Sequence, residues 1–400
     1  MERALDAAGL EALRSFSQRA FSAYLRELRE LVDIDSGSHS KSGVNRVVDW
    51  AGEQLELAGG SVERHQHADL GDTIVASFGS PSATPVTLLI AHADTVFDDG
   101  TASARPFRVE GTRAYGPGVY DMKGGLLLGL GAVRALYGPS ADDASFRSPG
   151  RLIFVVNPDE EIGSPASSPI IARLAASADA AVVLEGARPN GNVVRARSGM
   201  THLRLDLKGR AAHAGVEPQR GRSAIVEAAT KILALDALND HVRGVTVNVG
   251  VISGGTRPNV VADEAHLLVD VRARQRSLQE ATLAAVEAIN ATSTVAGVSC
   301  TLETLAQHWP METTPQARRL FDLAGSLARR LHFELGSARA GGASDANTTA
   351  ACGVPTLDGL GPIGGNAHSA DEYLELDSVI PRMTLLAALL AALGRGGLQR

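Results

Sequence analysis

His92, Asp121, Glu161, Glu185 and His368 are imidazoles and carboxylates, side chains that bind divalent cations without help from thiolates. His92 and Asp94 close the apolar run VTLLIAHADT, and Glu160 and Glu161 close RLIFVVNPDEE. Glu185 ends AAVVLEG, Asp121 sits in the glycine-rich YGPGVYDMKGG, and His368 lies in GGNAHSADEY near the C-terminus. Two metals held side by side need one bridging carboxylate and about two further ligands each. Five ligands with one shared meet that count. Taken singly the pieces say little, since a strand-end histidine usually makes a structural hydrogen bond and a Glu pair is usually a solvated turn. Their order along the chain is what carries the signal.

Some scaffold has to bring these groups together. The runs that end in them are short, apolar and β-branched, as buried strands of a mostly parallel sheet are. Helical stretches lie between them, notably Gly124 to Tyr137 and Pro169 to Ala178. Strand alternating with helix means an α/β layer fold, in which ligands bind at the carboxyl ends of the strands. The first 34 residues carry charges every few positions with apolar residues at helical spacing, and read as an amphipathic helix pair.

Near Ser198 the pattern changes. In THLRLDLKGR, His202, Arg204 and Asp206 alternate with Leu203, Leu205 and Leu207, the mark of an antiparallel sheet with one covered face. The order strand, helix, strand, strand, helix, strand follows, as in a ferredoxin-like unit. Four hundred residues also exceed what one core usually supports. The expected architecture is an α/β catalytic domain (1–197 and 310–400) with a central mostly parallel sheet flanked by helices. It is interrupted by an inserted ferredoxin-like α+β domain (198–309).

Composition removes other classes. A net charge of -7, with no long basic cluster, argues against nucleic-acid binding. No segment reads as the roughly 20 apolar residues of a membrane span, and no signal sequence is evident, so a cytoplasmic address is expected. Cys300 and Cys352, the only cysteines, read as two buried thiols.

HADT, YGPGVYDMKGG, NPDEEIGS, VVLEG, KGRAAHAG, RPNVV, GGASD and NAHSADEY resemble, motif by motif and in order, the M20 family of zinc metallopeptidases. The likeness runs from about Glu27 to Leu393, and among the branches it is nearest the glutamate carboxypeptidases of the carboxypeptidase G2 type. It implies two Zn2+ per subunit, His92 on one and His368 on the other, with Asp121 bridging and Glu161 and Glu185 completing the shells. Asp94 would orient His92, and Glu160 would be the general base. His213 would steady the oxyanion from a partner subunit, in a homodimer formed through the inserted domain.

The resemblance further implies that Arg272 grips the substrate carboxylate, that Asn259 contacts substrate or oxyanion, and that Gly342 and Ser344 line the pocket. A basic residue that helps hold glutamate in that branch falls here near Asn192 or Val193, and another is replaced by His308 or Trp309. The implied activity is hydrolysis of N-acyl or peptidyl amino acids to release a C-terminal amino acid, glutamate first. The alternatives are another M20 activity, such as an N-acetyl or N-succinyl amino acid deacylase or a dipeptidase, and a catalytically silent binding protein. The last predicts a lost ligand or base, and none is lost.

Overall fold

The computed structural model describes residues 5–138 and 150–398. The chain forms two compact units, one of residues 1–196, 313–339 and 344–400, the other of 197–312 with 340–343. The short loop Ala340–Ala343 thus belongs to the second unit, although the sequence pattern on either side of it continues the first.

Helix α1 (Ala7–Val32) is continuous where a helix pair was expected. Beyond Gly9 the stretch has no glycine or proline to break it, and Asp6 caps it by accepting from the Gly9 amide at 2.8 Å. Its stripe of Leu10, Leu13, Tyr24, Leu28 and Leu31 is buried. Helix α2 (Lys41–Leu57) follows, then strands β1 (Ser61–His65), β2 (Thr73–Phe78) and β3 (Val86–His92). After helix α3 (Gly124–Tyr137) come β4 (Arg151–Asn157), helix α4 (Ser168–Ala175) and β5 (Ala180–Val183).

These strands form one sheet in the order β1-β2-β4-β3-β5, closed by the two-residue strand Thr356–Leu357. β3 runs parallel to β4 and β5, while β2 pairs antiparallel with both of its neighbours, β1 and β4. Every residue of β3 is buried, which explains its unbroken apolar run. Both apolar runs end before their acidic tails do: β3 stops at His92 and β4 at Asn157, leaving Asp94, Glu160 and Glu161 on turns.

One expectation is corrected here. The segment Leu376–Gly394 does match a membrane span in length and composition, but 83% of it is buried within the unit. It contains the helix Val379–Gly394, which packs against α1 and α3. A helix apolar on all sides is what the middle of a large core requires.

The second unit holds β6 (Gly199–Lys208), α5 (Ala224–Asp236), β7 (Val245–Gly254), β8 (Glu264–Ala273), α6 (Arg276–Ala291) and β9 (Ser299–His308). Its antiparallel sheet runs β7-β8-β6-β9. Leu203, Leu205 and Leu207 are buried on one face, while His202 and Arg204 are exposed on the other. A buried pair under this sheet went unread in the sequence. Lys231 lies 3.4 Å from Glu227 and donates to the carbonyls of Ile289 and Thr292 at the end of α6. Both cysteines are free, as expected, but they are not both buried: Cys300 is half-buried and Cys352 exposed.

Candidate metal centre

Asp121 lies between two histidines. His92 Nε2 is 3.3 Å from its Oδ1, and His368 Nε2 is 3.2 Å from its Oδ2. Glu185 approaches His92 Nε2 at 3.9 Å, and Glu161 approaches His368 Nε2 at 3.2 Å. The result is two groups of three potential ligands, His92–Asp121–Glu185 and Asp121–Glu161–His368, that share one carboxylate.

The local structure explains how chain segments so far apart in sequence meet here. His92 is the last residue of β3, Glu185 follows β5, and Glu161 stands on the tight turn Glu160–Ile162 after β4. Neighbouring parallel strands therefore deliver three of the five groups. Asp94 ties two of these strand ends together. Its carboxylate is 3.2 Å from His92 Nδ1, accepts from the Ser38 hydroxyl at 2.7 Å, and accepts the amides of Glu160 and Glu161 at 3.2 and 3.1 Å. A carboxylate behind a ligating imidazole fixes its ring and tautomer.

Electrostatics fit cation binding. Burial disfavours charge on His92, yet Asp121 and Asp94 hold its pKa well above the usual imidazole value. Hydrogen bonds to Asp121 and Glu161 raise His368 to about 10. Burial alone would raise Asp121, but the two imidazoles hold it well below the usual carboxylate range. Burial pushes Glu160 well above that range, with Glu185 adding to the effect, and burial also raises Glu161.

The donor set of imidazole nitrogens and carboxylate oxygens suits zinc or a similar divalent ion. Glu161 Oε1 is buried without a hydrogen-bond partner, an acceptor that a cation would satisfy. The residues present fit a metal pair. Glu160 belongs to neither group, which leaves its carboxylate available for proton transfer.

Three supporting residues were missed in the sequence. Glu372, buried in the NAHSADEY motif, accepts the amides of Tyr120, Asp121 and Gly118 at 2.8, 3.0 and 3.1 Å, and so pins the loop that carries Asp121. Burial raises its carboxyl to about 7. Lys123 is buried beside that loop, donates to the Ile34 carbonyl at 2.8 Å, and is lowered by burial to about 8. Tyr120 packs its ring so closely on Gly186 that no side chain would fit there, and its hydroxyl donates to the Ala187 carbonyl at 2.8 Å. That interlocks the Asp121 loop with the strand end bearing Glu185. An acid and a lysine inside otherwise recognisable motifs were the available signal.

The match of residues 88–392 to Peptidase family M20/M25/M40 decides the family. The chain belongs to that family. Carboxypeptidase G2 of Pseudomonas sp. (strain RS-16) is 28% identical over 379 residues, which cover 94% of this chain and 90% of that protein. Aminopeptidase PepT from Bacillus cereus ATCC 10987 superposes with a TM-score of 0.74 at 21% identity, over 93% of this chain and 98% of PepT. The Bacillus subtilis YXEP protein, described as a dinuclear metal binding M20 peptidase, gives 0.68 at 16% identity, over 94% and 98%. The chain is thus a hydrolase of the M20 type.

The remaining expected residues fall mostly in the second unit. Asn259 accepts the Ala214 amide through its carbonyl at 3.0 Å, which puts it beside His213. The Gly215 amide donates to His213 Nδ1 at 3.1 Å, so in the neutral ring the proton sits on Nε2, the atom a developing oxyanion would need. Arg272 donates to Asp270 at 2.9 Å and to the Gly341 carbonyl at 3.0 Å. Gly342 is exposed, and its carbonyl accepts from Arg197 at 3.0 Å. Ser344 in the first unit is buried instead. Its hydroxyl donates to Asp358 at 3.0 Å and accepts the Ala346 amide at 3.2 Å, capping the helix Asp345–Ala351. That arrangement leaves the hydroxyl little capacity for substrate.

Proposed function

We propose that this M20 hydrolase is a two-zinc enzyme that cleaves the amide bond of N-acyl or peptidyl amino acids and releases a C-terminal amino acid. The observation carrying this reading is the pair of ligand groups joined by Asp121 with Glu160 outside both. His92, Asp121 and Glu185 would hold one metal, and His368, Asp121 and Glu161 the other. Bound zinc would polarise the scissile carbonyl and lower the pKa of water. Glu160 takes the proton of the attacking water and returns it to the leaving nitrogen, a task its raised pKa suits. Asp94 holds the His92 ring in place throughout. His213 Nε2–H is the proposed oxyanion donor, Arg272 the proposed carboxylate contact, and Asn259 a proposed substrate or oxyanion contact. Glutamate is the first amino acid to test, in keeping with the relation to carboxypeptidase G2.

Glu160→Ala should lose roughly 10²–10⁴-fold in kcat on N-acyl amino acids while still binding two metals, because its carboxylate is in neither ligand group. The measurement is initial rates with added zinc on N-acyl-glutamate, N-acetyl-ornithine and dipeptides. Full turnover by the variant would sink this assignment.

A further inference from the structure

Beside Glu161, and wholly within the first unit, lies a cavity of about 380 Å³. Two loops make most of its wall: 37–40, between α1 and α2, and 95–99, beyond β3. They are braced against each other. The Thr95 amide donates to the Ser36 carbonyl at 2.8 Å, and Asp35 accepts the amides of Gly100 and Ala102 at 2.8 and 2.7 Å. A side chain at Gly37 would collide with the Phe97 carbonyl, so the loops sit at backbone contact. Phe97 is covered by the Arg105 guanidinium, 4.6 Å from the ring centroid. Arg105 also donates to the Ser369 carbonyl at 3.1 Å, which links this wall to the loop bearing His368. The cavity is therefore shaped before anything enters it.

Its lining is apolar and acidic. Val96 is 42% exposed and Ile162 37%, so they offer uncovered apolar surface next to the proposed metal ligands. Apart from Glu161, which the proposed function places on a metal, the charged lining is Asp98 and Asp99, with His39 the one lining side chain able to oppose them. Two of the three lining hydroxyls already donate elsewhere, Ser38 to Asp94 at 2.7 Å and Ser40 to Asp99 at 3.1 Å, and Thr95 is buried.

We propose that this cavity is the acyl subsite, that it takes a neutral apolar acyl group larger than acetyl, and that it rejects acidic ones such as succinyl. The proposal rests on the amide-hydrolase reading above. On that reading the leaving half carries a carboxylate, which would be driven into a cluster of acids. The acyl half can enter uncharged, and like charges brought together oppose binding.

The test compares kcat/KM for acetyl, butanoyl, hexanoyl and succinyl derivatives of one amino acid. The ratio to acetyl should rise about fourfold for each methylene buried, and succinyl should fall below acetyl. Val96→Asn should lower the hexanoyl-to-acetyl ratio about tenfold. Asp98→Lys should raise the succinyl-to-acetyl ratio about tenfold, a gain that a misfolded variant cannot produce. A flat chain-length profile, or no change in Asp98→Lys, overturns the assignment. If the zinc-loaded protein hydrolyses no amide at all, the hydrolase reading fails instead. Saturation-transfer NMR with hexanamide against acetamide then tests the cavity by itself. Preferential binding of hexanamide that Val96→Asn abolishes supports it, and equal binding of the two refutes it.

Discussion

Replacing Glu372 by glutamine should weaken metal binding while leaving the chain folded. The carboxylate accepts three amides, those of Tyr120 and Asp121 on one oxygen and that of Gly118 on the other. Glutamine keeps one acceptor oxygen and turns its amide group toward a remaining backbone donor. In its better rotamer it loses the Gly118 bond and opposes two donors; in the other it loses two bonds. Leaving a buried donor unpaired costs about 1–3 kcal/mol, and about 1.4 kcal/mol is a factor of ten in an equilibrium constant. Since the loop carries the shared Asp121, the dissociation constants of both metals should rise roughly 10- to 100-fold, the usual effect of removing a partner that orients a ligand. Competition with a fluorescent zinc chelator gives the affinities, and thermal melting of the metal-free protein gives the structural cost. A purely structural role would lower the melting temperature and leave the affinities alone. If the affinities stay within twofold of the parent, Glu372 does not position Asp121.

Removing the metals with a chelator should lower the melting temperature, because Asp121, Glu160, Glu161 and Glu185 are then left close together without cations; calorimetry with zinc added back should restore it, by about 2.7 kcal/mol at a hundred times the dissociation constant. Burial raises Asp345 to about 6, above its ordinary 3.8, so its protonated form favours the folded state. That contribution is complete below pH 3.8 and is lost as the pH rises through 6. Asp345→Asn should flatten the fall in urea stability over that interval, its oxygen accepting from Asn157 and its amide donating to the Ser164 hydroxyl. Mixing inactive Glu160→Ala and His213→Ala proteins should partly restore turnover if His213 serves a partner subunit; absence of rescue points to a site complete in one chain.

The proposed metal ligands were legible because their side chains announce their chemistry. An imidazole or carboxylate at the end of an all-apolar run has no role in the core, so His92, Glu161 and Glu185 stand out against β3, β4 and β5. The alternation of Leu203, Leu205 and Leu207 likewise made the second sheet readable, because one covered face leaves a two-residue period. Where the reading failed, a tertiary partner had overridden the local signal. The final helix is apolar on most of its surface because α1 and α3 enclose it, and 376–394 matches a membrane span in length and composition despite Asp377 and Arg382.

The residues that escaped notice share a physical property: they act on backbone groups. Glu372 accepts main-chain amides, and Lys123 and Arg382 donate to main-chain carbonyls. Arg382 shows how far this extends. Buried in the last helix and lowered by burial to about 10, it donates to the carbonyls of Gly361 at 2.9 Å and Gly191 at 3.2 Å, and also to that of Gly359. Gly361 in turn donates its amide to the Glu185 carbonyl at 2.9 Å. A backbone group looks the same in every residue, so no pattern of side-chain types reveals which of them needs a charged partner. What needs one is irregular backbone held away from water, since each unpaired amide or carbonyl there is costly. Placing ligands on turns beyond the strands creates just such backbone. The loops that present Asp121 and Glu185 therefore require buried charges behind them, and these charges are part of the centre although they bear no ligand atom.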